Sequence, residues 1–289
     1  MPIAPPAAFS EDDLLDVASA YMDSLTGNDP DGAPFASGVR STENGIETPF
    51  TQGLWMSARG WLYRHTFVDT VTGEIGAFGS IRETGERDAM IALRLKVVAG
   101  QIAESELLVA REGDFPLFTP RAVIEPRPAF TSFAPIDRRL DRAKLAAIPD
   151  RYFQAIVHGD PGRVGVHPDA NRFENGVQTT NSPLLRAPSA AEGLRRLVYM
   201  QHYRDLRVPV IDPARGLVLA IVAFDMPELT RTLRVRGRPI EITPERQRLP
   251  RTMVMFELFK LEGERIRSIE AVMRNMAMGA ALGWPPTAP

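Results

Sequence analysis

Hydrophobic positions along the chain follow two periods, and each period predicts one kind of element. From Leu14 to Met22, apolar residues fall at helical spacing, behind Ser10 and three acidic residues that suit a helix N-terminus. Further helices are predicted at 140–157 and, shorter, at 52–59 and 191–201. Alternating or apolar runs predict strands at 63–69, 74–82, 89–98, 101–111, 203–211, 217–226, 251–261 and 265–273. Each half of the chain is therefore a helix followed by a sheet.

The order of elements repeats because the sequence itself repeats. The triplet Glu-Asn-Gly occurs at 43–45 and at 174–176, and Tyr21 recurs as Tyr152 in the same register, 131 residues later. Asn-Gly favours the positive φ angles of a tight hairpin. The paired strands so predicted are 40–43 with 46–48 and 172–174 with 177–179. We infer two homologous domains of the α+β class, each an opening helix packed in a strongly curved antiparallel sheet.

Proline marks the boundary between the repeats. Residues 113–137 contain five prolines, a composition typical of a stiff, extended linker. We therefore predict a first domain at 1–112, a linker at 113–137 and a second domain at 138–289. The segment 228–250 has no counterpart in the first repeat and is predicted to be an inserted Arg-rich hairpin.

The composition of the 289 residues excludes several classes of protein. Hydrophobic residues make up 44% and charged residues 24%, a balance typical of globular proteins. A net charge of −2 provides no field that attracts nucleic acid or an anionic membrane. The absence of Cys excludes disulfides, zinc–thiolate sites and thiol nucleophiles. No apolar run approaches the ~20 residues that span a bilayer. The N-terminus lacks the features of a signal peptide, so a soluble cytoplasmic protein is expected.

Two motifs make the repeats similar to a known superfamily. One is the Glu-Asn-Gly hairpin with Arg or Asn three residues before Glu, most distinctive at 167–176, and the other is the Lys-x-x-x-Gly-x-Ile hairpin at 96–102. With the opening helix, they resemble the nuclear transport factor 2-like cone fold, which includes ketosteroid isomerase and the SnoaL-like polyketide cyclases. The resemblance covers nearly the whole chain, once per repeat. It implies two fused cone-shaped domains, each with a conical apolar cavity that usually hosts cofactor-free acid–base or binding chemistry.

Polar side chains suited to such chemistry concentrate where the short helix of each repeat meets the first long strand. His moves protons near neutral pH, Arg and Tyr stabilise developing negative charge, and a carboxylate serves as acid or base. We expect the catalytic site in the second repeat, because that repeat adds further polar groups and because the Arg-rich hairpin could close over its cavity. The candidates there are His202, Tyr203, Arg204, Tyr199, Glu174, Arg172, His167 and Asp169.

The first repeat offers an alternative cavity. Strand alternation places Tyr63 and His65 on one face of a strand and Arg64 on the other. Arg40 and Glu43 would complete this second set. A structural role is also open for the Glu of each hairpin, which could satisfy loop amides with the neighbouring Arg as its ion-pair partner.

The expected function is a cofactor-independent lyase that acts on an apolar aromatic alcohol. The resemblance extends to the lyase that converts a lignin-derived diarylpropane diol to a stilbene and formaldehyde. Alternatives are an isomerase, dehydratase or cyclase of the ketosteroid isomerase or SnoaL type, and a non-catalytic module for small-molecule binding or dimerisation. The chain lacks the Gly-rich loops that hold phosphates or dinucleotides, and its His spacing matches no recognised zinc site, so no cofactor or metal is expected. The expected partner is a hydrophobic, aromatic small molecule, bound by a monomer or a homodimer.

Overall fold

The computed structural model describes residues 9–197, 200, 202–227, 231–235, 238–242 and 250–285. Its α-helices are α1 (Glu11–Gly27), α2 (Leu54–Ser57), α3 (Pro128–Thr131), α4 (Arg142–His158) and α5 (Ala190–Leu194). Its first strands are β1 (Phe35–Glu43), β2 (Ile46–Glu47), β3 (Ala58–Asp69), β4 (Glu74–Glu83), β5 (Asp88–Val98) and β6 (Gln101–Arg111). The later strands are β7 (Gly165–Glu174), β8 (Val177–Gln178), β9 (His202–Asp212), β10 (Leu217–Met226), β11 (Arg231–Val235), β12 (Arg238–Ile242), β13 (Arg251–Glu262) and β14 (Arg265–Met276). Short 3-10 helices lie at Pro30–Gly32, Thr84–Glu86, Ile136–Arg138 and Pro161–Arg163.

The strands form two six-stranded sheets with the same order, which confirms two similar α+β domains. The first sheet is β2-β1-β6-β5-β4-β3 and the second is β8-β7-β14-β13-β10-β9. Four long strands of each sheet pair antiparallel, as expected. The expectation of a purely antiparallel sheet needs one correction, because β1 pairs in parallel with β6, and β7 with β14. Parallel neighbours require a long connection, which the whole meander provides in each domain.

Each opening helix has the caps that its sequence supplies. The Ser10 side chain accepts a hydrogen bond from the backbone N–H of Asp13 at 3.0 Å, and Asn28 ends α1 in the left-handed conformation. In α4, Asp141 accepts from the backbone N–H of residue 144 at 2.8 Å, and Gly159 takes the left-handed position. The two short helices are shorter than predicted, with four residues in α2 and five in α5.

Both Asn-Gly turns adopt the left-handed geometry that the sequence predicts. The φ angles are 52° at Asn44 and 78° at Gly45, and 44° at Asn175 and 84° at Gly176. The amide of Asn175 also donates to the carbonyl of Met273 at 2.9 Å and accepts from its N–H at 2.9 Å. This amide fixes β7 against β14 and so sets which side chains of β7 point towards the helix.

Three apolar clusters hold the molecule together. In each domain, the opening helix packs on the inner face of its sheet, which is the face directed towards that helix. The outer faces of the two sheets pack against each other, where Phe67 and Phe78 of the first domain join Leu219 and Phe256 of the second. The repeats therefore bury, within one chain, sheet surface that would otherwise be exposed.

Ion pairs cross the boundary between the domains. Buried Arg207 of β9 donates to the carboxylate of Glu106 on β6 at 2.9 and 2.5 Å. Arg142 at the start of α4 donates to both oxygens of Asp69 at the end of β3, at 2.8 and 2.6 Å. Such bidentate pairs fix orientation as well as distance. These ion pairs therefore fix the position of one sheet relative to the other.

The segment predicted as an Arg-rich hairpin contains a separate two-stranded sheet. β11 pairs antiparallel with β12, from Arg231 opposite Ile242 to Val235 opposite Arg238. Residues 228–230, 236–237 and 243–249 lie outside the described residues, so closure of this hairpin over a cavity stays a prediction.

Candidate functional site

A polar cluster lies inside the second domain, between α4 and its sheet. Arg172 of β7 donates from Nη1 to the hydroxyl of Tyr152 at 3.1 Å and from Nε to the hydroxyl of Thr179 at 3.3 Å. Its Nη2 lies 2.6 Å from Oε1 of Glu174. Glu257 of β13 lines the same cavity and is only 2% exposed. The cluster thus holds a cation, a phenol and two carboxyl groups in an apolar interior.

The sequence places these groups together through strand alternation. Arg172 and Glu174 are two residues apart on β7 and share the inner face. Glu257 shares the inner face of β13 with Met255 and Phe259, which belong to the core around α4. Tyr152 reaches the same space from the helix. Three elements therefore converge on one point.

The cluster borders a cavity of about 130 Å³. Four methionines, Met200, Met253, Met255 and Met273, form much of its wall. The other lining residues are Phe115, Pro116, Tyr152, Ile156, Arg172, Glu174, Leu197, Arg251 and Glu257. Methionine side chains are flexible and polarisable, so such a wall adapts to apolar ligands of varied shape.

Burial controls the charges in this cavity. It raises the pKa of Glu257 to about 8, although the positive charge of Arg172 acts to lower it and Glu174 raises it further. Burial likewise raises the pKa of Tyr152, which stays a neutral phenol. Glu257 Oε2 has no hydrogen-bond partner among the described residues. A buried carboxyl oxygen without a partner, next to a cavity, makes this group a candidate for proton exchange with a ligand.

The matching place in the first domain is filled. Tyr21, the counterpart of Tyr152, shares a 2.8 Å hydrogen bond with the hydroxyl of Ser105. Its ring packs edge-on against Trp55 and Phe35 at centroid distances of 5.3 and 6.0 Å. Phe50 stacks on Phe35 at 4.1 Å. Aromatic rings thus occupy the space that is a cavity in the second domain.

Two of the candidates predicted for the second repeat, Arg172 and Glu174, lie in this cluster. Tyr203 is on the inner face, where its hydroxyl donates to Asp150 and accepts from Gln154 on α4, but it does not line the cavity. Arg204 points to the other side of β9, where it binds Asp225. The structure therefore does not gather the predicted set in one place.

The remaining candidates of the second repeat lie apart from the cluster or outside the described residues. His202 is exposed at the start of β9. His167, near the start of β7, accepts from the backbone N–H of Asp169 at 3.2 Å, and its Nδ1 lies 3.3 Å from Nη1 of Arg267. Tyr199 lies outside the described residues.

The structure does not bring the alternative set of the first repeat together around one cavity. Tyr63 and His65 share one face, as predicted, but that is the outer face, buried against the second domain. Arg64 points to the inner side, where its Nη1 lies 3.2 Å from Asp23 of α1. The register of β3 shifts between Trp61 and Tyr63, and this β-bulge reverses the side to which the tyrosine points.

Arg40 and Glu43 take structural roles. Glu43 accepts from the backbone N–H of Leu54 at 2.7 Å and so caps α2. Arg40 donates to the carbonyl of Gly283 at 2.6 Å and stacks over the ring of Trp284 at 4.1 Å. Glu43 is the third residue after Arg40, so alternation sends the two side chains to opposite faces. Both therefore anchor neighbouring segments, and Glu43 also borders a wide pocket beside the first Asn-Gly turn, which it shares with Arg274 and not with Tyr63, Arg64 or His65.

Glu257 and Tyr152 are the site residues that the sequence interpretation missed. Glu257 interrupts the apolar strand from Met253 to Phe259, and the repeat places Leu93 at the same position. A charged residue inside a strand that is buried on both faces is a sign of function. The sequence marks Tyr152 only as a repeated residue of the opening helix.

Two further properties bear on the kind of site. Among the described residues, no three His, Asp or Glu side chains come together as a metal ion would require. No helix in the described part of the chain combines the length and the apolar composition needed to cross a membrane.

Comparisons with known proteins give one family and several structures. A family model described as a domain of unknown function (DUF8021) matches residues 8–108 and 138–273. A SnoaL-like polyketide cyclase from Agrobacterium tumefaciens is 14% identical, covers 45% of this chain and 90% of its own, and has a TM-score of 0.27. LinA is 16% identical, covers 51% and 94%, and has a TM-score of 0.28. TsrD from Streptomyces laurentii is 15% identical, covers 46% and 90%, and has a TM-score of 0.28. No curated protein matches the chain.

Proposed function

The chain belongs to the DUF8021 family, and we propose that its second domain is a cofactor-independent enzyme that moves protons on a small, apolar, oxygen-bearing molecule. One observation carries the proposal: the carboxyl of Glu257 is buried, lacks a partner on Oε2 among the described residues, and faces a cavity that also holds Arg172 and Tyr152. A structural core would place an apolar side chain there, as the first domain does.

The cavity sets the size of the reacting part of the substrate. An apolar cavity of about 150 Å³ holds benzene. The described residues around Glu257 enclose about 130 Å³, enough for a group close to one six-membered ring. The methionine wall favours an apolar body, and the polar cluster favours one oxygen at the buried end.

The roles follow from the protonation states. Glu257, with a pKa of about 8, is mostly protonated at pH 7 and acts as a general acid, while its ionised fraction acts as a base. Tyr152 accepts a hydrogen bond from Arg172, so its own O–H is free to donate to a substrate oxygen. Three of the five N–H groups of Arg172 have partners among the described residues, which leaves two for the same oxygen.

These roles support an isomerase or cyclase type of reaction. The carboxylate of Glu257 takes a proton from the carbon next to a carbonyl, and the electron pair moves to the carbonyl oxygen. Arg172 and Tyr152 stabilise the enolate that forms. The carboxylic acid then returns the proton to a different carbon. Removal of a β-hydroxyl, as in a dehydratase, begins with the same proton transfer.

The lyase reaction is a narrower form of this proposal. The acid would protonate the benzylic hydroxyl of a phenolic diarylpropane diol, which leaves as water, while the phenol releases its proton to solvent and a quinone methide forms. The base would then take the proton of the terminal alcohol, and the carbon–carbon bond would break to release formaldehyde. The electron pair of that bond would form the double bond of the stilbene, and the ring oxygen would recover its proton. The two rings of this substrate exceed the cavity volume, so one ring would lie at the mouth.

The experiment compares two buried glutamates of the same domain. Glu270 on β14 points to the outer face, is 2% exposed like Glu257, and has a pKa raised by burial to about 7. It is a matched control, because it differs from Glu257 mainly in facing away from the cavity.

Single-ring ketones and enones are incubated with the protein in D₂O, and deuterium uptake is followed by NMR. Formaldehyde release is followed in parallel with diarylpropane diols. We expect Glu257→Gln to lower the rate by about 10²–10⁴-fold, and Glu270→Gln to leave it unchanged. Equal rates in the two variants would contradict the assignment of Glu257. Binding without exchange or release would instead indicate a non-catalytic binding module.

A further inference from the structure

A second cavity lies between the two domains, away from the polar cluster of the second domain. Its volume is about 190 Å³. The first domain contributes residues of α1 and β3, including His65 and Phe67, and the segment between the domains contributes Phe130 of α3. The second domain contributes Arg215 and Leu217 near the turn from β9 to β10. We call this space the His65 cavity.

His65 is the unusual group in this wall. It is only 6% exposed, and its Nδ1 is buried without a hydrogen-bond partner among the described residues. Burial and, to a smaller extent, the positive charge of Arg215 lower the pKa of His65 to about 4. The ring is therefore neutral at pH 7, with one N–H donor and one nitrogen acceptor. A buried ring nitrogen without a hydrogen-bond partner is costly, so the position favours a bound partner.

At the equivalent position of the second sheet, the protein itself supplies a partner for the buried polar side chain. Arg207 and His65 occupy equivalent positions of the two sheets. Arg207 pairs with Ile221 of β10, and His65 pairs with Phe78 of β4. The guanidinium of Arg207 meets the carboxylate of Glu106 across the boundary at 2.9 and 2.5 Å. In the first sheet the same position has an imidazole beside a cavity. The two halves of the boundary therefore differ in whether the protein supplies the partner.

The charges around the cavity favour a neutral occupant. Arg215 is bound by Glu11 at 2.7 Å and by Asp212 at 2.9 Å, so its charge is already balanced. Phe67 and Phe130 lie near His65, with ring centroids 5.5 and 6.4 Å from the imidazole. The cavity thus combines aromatic walls with one uncharged polar group.

We propose that the His65 cavity binds a small, neutral aromatic molecule with one hydroxyl group, which donates a hydrogen bond to the imidazole. The volume agrees, since about 150 Å³ holds benzene and a phenol is only slightly larger. This site is independent of the proposed enzyme site, because no lining residue is shared between the two cavities.

The test uses phenol as the probe and toluene as its matched analogue without a donor. The ring nitrogens of the four histidines are followed by NMR during titration of the full chain, and the spectrum of His65→Phe identifies the His65 signals. We expect phenol to shift those signals saturably, and toluene to bind at least about tenfold more weakly because it cannot satisfy the imidazole. The variant Glu257→Gln should give the same His65 response, which separates this cavity from that of the enzyme site.

Two results would overturn the proposal. One is that the His65 signals do not move with phenol up to its solubility. The other is that phenol and toluene bind equally, which would make the space a purely apolar void. The comparison of the two probes needs only the unaltered protein, so it stays decisive even if His65→Phe does not fold. Absence of proton exchange at Glu257 would leave this result unaffected.

Discussion

The two domains place different side chains at matching positions of the same sheet. Leu93 pairs with Ala77 and Leu107 in the first sheet, and Glu257 occupies the matching position of the second. Ser41 of β1 likewise matches Arg172 of β7, because each precedes the Asn-Gly turn by the same number of residues. The first domain adopts the same fold with Leu93 and Ser41, so the fold of the second domain does not require Glu257 and Arg172.

The difference also separates stability from function. The first inner face is closed by aromatic rings around Tyr21, and its hydroxyl is satisfied by Ser105. The second keeps a cavity, a buried cation and a carboxyl whose ionisation is unfavourable. Residues that cost stability and face a cavity are those expected to act on a ligand. We therefore expect the chemistry at the inner face of the second domain and a structural role for the inner face of the first.

The largest expected loss of stability comes from placing a carboxyl in the first domain, at the position that matches Glu257. Leu93→Glu puts a carboxyl into a filled interior in which Ser41, rather than an arginine, stands at the position that matches Arg172. Keeping it protonated at pH 7 costs about 1.4 kcal/mol per pH unit above its ordinary pKa, or about 4 kcal/mol. Urea unfolding measures the loss. Leu93→Met is the control and should lose less than about 1.5 kcal/mol. A loss of similar size in both variants would contradict the view that the first interior excludes a carboxyl.

The pH dependence of stability should differ between variants of Glu257. Its pKa is raised from 4.5 to about 8, so the folded protein holds a proton that the unfolded chain has lost across that range. The stabilisation is complete below pH 4.5 and is lost as the pH rises towards 8. Between pH 5 and 7 this one proton removes about 2.5 kcal/mol of stability. Glu257→Gln should remove that part of the slope, as measured by urea unfolding at both pH values. An unchanged slope would show that Glu257 ionises normally.

Gly45→Ala and Gly176→Ala should each lower the free energy of unfolding by about 2 kcal/mol, because both glycines have positive φ and are closely approached by another backbone segment. A Cβ at Gly45 would lie 2.1 Å from the carbonyl oxygen of Ala281, and one at Gly176 would lie 2.4 Å from that of Thr119. Gly100 is the control, since its φ is also 78° but nothing lies within 4 Å of an added Cβ. Thermal unfolding compares the three alanine variants. Equal losses at all three positions would mean that the contacts beyond the turn contribute nothing.

Features set by local sequence could be predicted, and features set by packing between strands could not. The helix caps and the Asn-Gly turns follow from neighbouring residues, and the repeat gave two similar domains. The direction of Tyr63 and Tyr203 could not be predicted from alternation, because β-bulges shift the register of β3 and β9 at different points. His65 looked like an inner residue for the same reason. Its burial arises only because the two outer faces meet, which no local pattern shows.

The smallest expected effect compares the two repeated tyrosines. Tyr21→Phe loses the hydrogen bond to Ser105, and Tyr152→Phe loses the one from Arg172. Each should cost about 1 kcal/mol of stability in urea unfolding. Only Tyr152→Phe should also slow proton exchange, by about tenfold, because its hydroxyl contributes a hydrogen bond to the enolate oxygen. If Tyr21→Phe slows the exchange as much, the chemistry does not belong to the second cavity alone, and the contrast between a supporting and an active domain would have to be given up.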